Sequence, residues 1–384
     1  MERLYYKSPY VKEFEAVVTD CREGKKGRYE VVLDQTAFFP EGGGQPGDTG
    51  VLGQAQVLDT HEKNGEVVHE TDRPLAVGEK VKGVLDWEKR FDNMQGHSGE
   101  HILTGLIHKI FGFDNVGFHM GKEEITIDFN GTMTMEQLKE LEIKANQVVY
   151  ENVPFVITCP SQEELETMEY RSKKELTGEV RIVTIPEVDV CACCGTHVER
   201  SGEVGLIKVL GMIHYKGGVR ISMLCGRPAF QYLDGLQKQM NAMSVLLSAK
   251  IGKIEETVEK LKAENAEKDA QVNRAYQEIF AARAAALPES SKPLVLFEEG
   301  LTPVQIRQFS TLLYESNKGN VAVVCSKKGD SFQYAAGSSS VDMRAFSKTL
   351  NGLLNGRGGG SSQMAQGTFQ AAEEDIRKAV EENA

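Results

Sequence analysis

The sequence predicts an α+β multidomain protein: an N-terminal β-barrel over residues 1–88, an α+β metal-binding domain over 89–228, a long helical stalk over 229–287, and a small C-terminal α/β domain over 292–384. Three observations carry this reading. Short β-rich runs separated by Gly, Pro and Asp turns fill the chain up to Trp87. A 3-4 apolar repeat starts near Ala229 and continues to about Ala286. With 384 residues, 40% of them hydrophobic, the chain is long enough to bury more than one core.

The barrel strands are expected at about 14–19, 28–33, 54–60, 66–70 and 80–85. Between the second and third lies TAFFPEGGGQPGDTG, residues 36 to 50, where Gly42, Gly43 and Gly44 let backbone N–H groups approach a ligand closely; a flexible barrel loop would read the same way. After Trp87, Ile102, Leu103, Leu106, Ile107, Ile110 and Phe111 recur at helical spacing. Strands follow at about 124–129, 155–158, 180–185, 204–210 and 219–224, with helices at about 135–151 and from Ser161. In the stalk Leu233, Leu236, Met240, Met243 and Leu247, then Ile251, Ile254, Val258, Leu261 and Val272 predict a single long helix, read as a coiled coil, with one stutter after Leu247; a helix packed on its own domain is the alternative. Pro288 ends it. In the last unit, LVLFEEG and NVAVVCSKKGD read as buried strands, QIRQFSTLLYES as an amphipathic helix, and NGLLNGRGGGSSQMAQGTF as a glycine-rich loop.

The formal net charge of −12 argues against nonspecific nucleic-acid binding, which needs Lys and Arg at phosphates, while leaving room for a local basic surface. No apolar run approaches the roughly 20 residues that span a bilayer, and the N-terminus lacks the pattern of a signal peptide. A soluble, cytoplasmic protein without membrane contact is expected. In such a reducing compartment, seven cysteines read as metal ligands and buried thiols rather than disulfides.

The chemistry concentrates in two stretches. QGHSGEHILTG puts His97 and His101 four residues apart, on one face of a helix. VCACCGTHV, residues 190 to 198, holds three cysteines and His197, with Cys193 again four before the histidine. Three histidines and one cysteine make a tetrahedral N/S set suited to zinc. A redox device, a structural clip and half of a catalytic site all remain readings of VCACCGTHV alone. The redox spacing C-x-x-C lacks a thioredoxin-like βαβ context. HSGEH is not HExxH, in which the general base directly follows the first histidine, so a zincin-type protease is not indicated.

HSGEH followed by CCGTHV, with PEGGGQPGDTG upstream, resembles the editing domain of alanyl-tRNA synthetases and the freestanding AlaX proteins. NGRGGGSSQMAQG is similar to the glycine-rich end of the synthetase C-terminal domain, a module shared with DHH-type phosphoesterases. The order of units resembles the long AlaX form, without an aminoacylation domain and without a DHH motif. The resemblance implies the metal ligands His97, His101, Cys193 and His197; only Cys193 keeps the C-x3-H spacing, and Cys194 stands where the family has glycine. It further implies that Thr36 senses a substrate hydroxyl, that Gln45 lines the amino-acid pocket with the catalytic residues, that Gly42, Gly43 and Gly44 shape the substrate loop, and that Arg357, Gly358, Gly359 and Gly360 grip tRNA. The implied reaction is zinc-dependent hydrolysis of Ser-tRNA(Ala), and of Gly-tRNA(Ala), sparing Ala-tRNA(Ala), because a hydrophobic synthetase pocket rejects an added hydroxyl only about 10²-fold. Zinc either activates a water or positions the substrate. The stalk spaces the two grips or pairs two chains as a homodimer. A noncatalytic tRNA-binding protein with structural zinc is the rival reading; a DHH-like phosphoesterase is disfavoured for want of carboxylate-rich metal motifs.

Overall fold

In the computed structural model, which describes residues 1–172 and 180–384, the chain divides into two compact units, Met1–Asn241 and Ala242–Ala384.

The barrel of the first unit is built from six strands: β1 (Glu13–Glu23), β2 (Tyr29–Leu33), β3 (Gly50–Leu52), β4 (Ala55–Lys63), β5 (Glu66–Thr71) and β6 (Lys80–Leu85). They pair in the order β1-β2-β5-β4-β3-β6 and close, β6 returning to β1. Closure leaves no free edge. The alternation that marks β1 and β6 turns Phe14, Ala16, Val18 and Val81 inward, where they pack with Val31, Leu33, Phe38, Leu52 and Val57. Burying one such aromatic or aliphatic side chain stabilises by about 1.5–3 kcal/mol. β3 begins at Gly50, the last residue of the stretch read from sequence as a loop, and runs on to Leu52, where the sequence reading placed no strand. It is three residues long, too short for period-2 patterning to register.

The α+β part of this unit starts with helix α1 (Trp87–Phe111). The Asp86 side chain caps it, accepting from Lys89 N–H, and Gly112 ends it in the left-handed region at φ 69°. The helix is buried on nearly every side from Asn93 to Ile107, which explains how two histidines come to lie in its core-facing stretch. Strands β7 (Asn115–Met120) and β8 (Ile125–Phe129), helix α2 (Met135–Glu151), strands β9 (Val156–Thr158), β10 (Ile182–Ile185) and β11 (Asp189–Ala192), then β12 (Ile207–Tyr215) and β13 (Gly218–Cys225) follow. They form a sheet in the order β12-β13-β8-β7 and a smaller one in the order β9-β10-β11. The core between α1, α2 and the larger sheet contains Met94, Leu103, Ile107, Ile127, Phe129, Leu138, Leu141 and Ile221.

The single long stalk helix expected from the 3-4 repeat is two helices, α3 (Gly226–Leu247) and α4 (Ile254–Ala286). Ser248 adopts φ 50°, and a 3₁₀ turn over Ile251–Lys253 separates them. A left-handed residue stops an α-helix whatever the apolar spacing around it.

The second unit carries a five-stranded sheet of β14 (Leu294–Glu298), β15 (Ala322–Lys328), β16 (Ser331–Gly337), β17 (Arg357–Gly360) and β18 (Met364–Phe369), in the order β14-β15-β16-β18-β17. Helix α5 (Pro303–Glu315) and the end of α4 cover one face, where Phe280 stacks on Phe309 at 4.3 Å. Helices α6 (Met343–Leu353) and α7 (Glu373–Asn383) supply Phe346, Leu350, Ile376 and Val380 to the other. The stretch expected as a glycine-rich loop is an antiparallel pair, with Arg357 opposite Thr368 and Gly360 opposite Ala365. Main-chain pairing supplies the order that glycine side chains cannot, and composition does not reveal it. No helix of the described residues is long and apolar enough to cross a membrane.

Candidate metal centre

His97 and His101 project from adjacent turns of α1, their ring centroids 5.3 Å apart. The loop after β11 brings Cys193 and His197 against them; the His197 ring lies 4.6 Å from that of His97 and 4.8 Å from that of His101. One ligand atom from each of the four lies within 4.8 Å of all the others. Three imidazoles and a thiolate are the donors that zinc takes in tetrahedral sites.

The outer nitrogens are already assigned. Nδ1 of His97 lies 3.0 Å from Gln45 Oε1, and Nδ1 of His101 lies 2.9 Å from Asp189 Oδ2. Both acceptors require the proton on Nδ1, which turns each unprotonated Nε2 toward the cluster. His197, fully buried, has no hydrogen-bond partner for either ring nitrogen among the described residues. Leaving such a group unsatisfied costs about 1–3 kcal/mol, and a metal ion would remove that cost. The residues therefore fit zinc.

Electrostatics run the same way for His197 and Cys193, whereas His101 favours a proton that a metal would have to displace. Burial, against a smaller opposing effect of Cys193, lowers the His197 pKa to about 3, the neutral form a metal needs. Burial opposes charge on Cys193, yet the adjacent His97 and His197 hold its thiol well below the usual range. Burial likewise works against charge on His101, and its bonds to Asp189 and Cys193 prevail, raising it. Burial works against charge on Asp189 too, yet it is held as a carboxylate by His101 and by Arg171, whose Nε and Nη2 reach its two oxygens at 2.8 Å each.

The loop carrying Cys193 and His197 is braced from several sides. Arg181 donates to the carbonyls of Cys193 at 3.1 Å and Gly195 at 2.8 Å. Ser98 Oγ accepts from Val198 N–H at 3.0 Å, tying the loop to α1 between the two histidines. Gly195 has no alternative: a Cβ there would sit 2.1 Å from His97 Cε1. Of the three cysteines, Cys193 joins the histidines. Cys191 lies with His101 and Asp189, and Cys194 turns toward the glycine loop, 3.3 Å from where a Cβ on Gly43 would be.

Gln45 reaches the centre from the barrel side. Its Oε1 accepts from His97 Nδ1 and from Thr196 N–H at 3.1 Å, and its Nε2 donates to Thr196 Oγ1 at 2.8 Å. Its amide thus fixes the orientation of His97. The loop that carries it is itself fixed: Gly44, at φ 85°, leaves no room for a side chain beside Phe118. Asp48 accepts from Phe39 N–H and pairs with the fully buried Arg90, which also donates to Pro9 O and Ala37 O. Thr36 stands at the start of this loop, bonded to His69 in the barrel wall rather than to the four ligands. Arg357 through Gly360 form β17, an exposed edge strand of the second unit.

Sequence reading overlooked Asp189, Arg171, Arg181 and Ser98. Asp189 left a signal: it stands two before Cys191 on a strand, hence on the same face, and four before Cys193. The others are visible only in three dimensions.

Residues 6–89 match the class II (A) tRNA synthetase family, 180–222 the second additional domain of threonyl and alanyl tRNA synthetases, and 290–384 the DHHA1 domain. The chain is 32% identical to the alanyl-tRNA editing protein AlaX-L of Pyrococcus horikoshii, over 98% of this chain and 96% of that one. It is 32% identical to the alanyl-tRNA editing protein Aarsd1 of Mus musculus over 71% of this chain and 70% of the relative. It is also 34% identical to the alanine–tRNA ligase of Methanoregula boonei over 95% of this chain, which spans 41% of the ligase.

Proposed function

The chain belongs to the AlaX-type alanyl-tRNA editing proteins, and from this premise we propose that it is a deacylase that hydrolyses Ser-tRNA(Ala), and secondarily Gly-tRNA(Ala), at a zinc site, leaving Ala-tRNA(Ala) intact. The observation that supports this best is the convergence of His97, His101, Cys193 and His197, with the substrate-loop residue Gln45 bonded to one of them.

His97, His101, Cys193 and His197 would hold zinc, which would supply positive charge for positioning the acylated end of the tRNA. The chain's own residues do the rest. Gln45 and Asp189 hold His97 and His101 in the metal-binding tautomer and orientation. The glycine loop admits the acyl group close to the backbone. Thr36 recognises the seryl hydroxyl; an alanyl group offers that polar atom no partner, which disfavours its binding. Water attacks the ester carbonyl, the bond to the terminal ribose oxygen breaks, and the products are free amino acid and tRNA bearing its hydroxyl. Arg357, with the backbone of Gly358, Gly359 and Gly360 on the exposed β17, meets the RNA, arginine providing charge and glycine close approach. The protein acts in the cytoplasm, where the charged tRNA is.

The test is deacylation of Ser-, Gly- and Ala-tRNA(Ala) by the zinc-loaded protein. Loss of Ser-tRNA(Ala) with Ala-tRNA(Ala) spared is expected. Survival of all three esters while tRNA still binds would instead make the zinc structural in an RNA-binding protein.

A further inference from the structure

The Thr36 hydroxyl is engaged before any substrate arrives. Its Oγ1 lies 2.8 Å from His69 Nε2 and accepts from Phe38 N–H at 3.1 Å. His69, on β5, is fully buried, with its ring edge-on to Phe38 at 5.4 Å. Its Nδ1 lies 3.0 Å from the Val31 carbonyl oxygen, which has only lone pairs to offer. Nδ1 therefore carries the ring proton. Burial lowers the His69 pKa to about 4, against the smaller opposing effect of the Val31 carbonyl, so the ring is neutral near pH 7 and Nε2 is bare. The shared proton between Nε2 and Oγ1 must then come from threonine.

We propose that His69 is a positioning residue that fixes the direction of the Thr36 hydroxyl, so that Thr36 presents a lone pair, and no proton, to the acyl group. The hydroxyl has one proton and two lone pairs; His69 takes the proton and Phe38 one lone pair. What remains recognises hydrogen-bond donors only. The acyl class selected is thus a small side chain ending in O–H. An isosteric group with an acceptor and no proton is treated as alanine. This inference rests on Thr36 being the hydroxyl sensor, and it adds the polarity of that recognition and the residue that sets it.

The experiment compares tRNA(Ala) carrying serine, alanine or 3-fluoroalanine, whose fluorine is close in size to a hydroxyl and donates nothing. In the unaltered protein the fluoroalanyl ester should be hydrolysed at the alanyl rate; hydrolysis at the seryl rate overturns the proposal without any variant. Thr36→Val, His69→Leu and His69→Gln follow, each with zinc content and kcat and KM measured separately. His69→Leu frees the Thr36 proton, and the seryl preference over fluoroalanyl should fall about 10-fold, in KM more than in kcat, with zinc retained. His69→Gln, whose amide can accept from Thr36 and donate to Val31, should restore it to within about 3-fold. If Thr36→Val leaves the seryl preference over alanyl unchanged, the sensor reading itself falls. If Thr36→Val abolishes the preference and zinc-replete His69→Leu leaves it intact, the sensor stands and the role of His69 is refuted.

Discussion

The two units bury polar groups very differently. In the first, Arg90, Asp48, His69, His97, Glu100, His101, Asp189 and His197 are all nearly or wholly removed from solvent. In the second, the buried polar residues among those described are Gln305 and the serines Ser310, Ser326, Ser338 and Ser347, none charged, and the conspicuous glycines and Arg357 lie on an exposed strand. Burying charge is unfavourable unless each group is paired or binds a metal. Among the described residues, the first unit holds its ionisable groups inside, while the second presents Arg357 and its neighbouring glycines to solvent.

Substitutions can break or sharpen that contrast. The largest effect is expected for Cys193→Ala, which removes a metal ligand: zinc content should drop and seryl-tRNA deacylation should fall by more than about 100-fold, measured by metal analysis and single-turnover kinetics. Asp189→Asn keeps the shape beside His101 and removes the charge. It should cost about 10–100-fold in zinc affinity, read by chelator competition. Arg357→Ala acts on the exposed strand: KM for the charged tRNA should rise several-fold and the salt dependence of binding should flatten by about one ion, while zinc stoichiometry stays unchanged. A fall in zinc content there would abolish the division of labour. Smallest is Ser98→Ala, which unpairs the buried Val198 N–H and should lower stability by about 1 kcal/mol in urea unfolding.

Much of this was legible in the sequence because the signals are local. His97 and His101 are four apart on a helix, and Cys193 and His197 repeat that spacing across a turn at Gly195. The strand of 80–85 follows its alternation to the residue, and that of 66–71 ends within one residue of the expected position. What escaped is long-range. The contacts of Gln45 with His97, Thr36 with His69, and Asp48 with Arg90 link segments whose separation no periodicity encodes. The stalk failed for a different reason. Leu247 and Ile251 keep the apolar spacing through the break, so the repeat reads as a stutter, while one residue at positive φ divides the helix.

The four ligands also come from places far apart along the chain, one pair on α1 and the other beyond β11. Residues emerge from a ribosome at about 5–20 per second, so the histidine pair is made several seconds before its counterpart. Joining segments that distant restricts the unfolded chain by about 4 kcal/mol of loop entropy. An ion held by all four residues could therefore be enclosed only once residue 197 has been made, and by bridging both segments it would offset that loop cost and couple metal supply to folding.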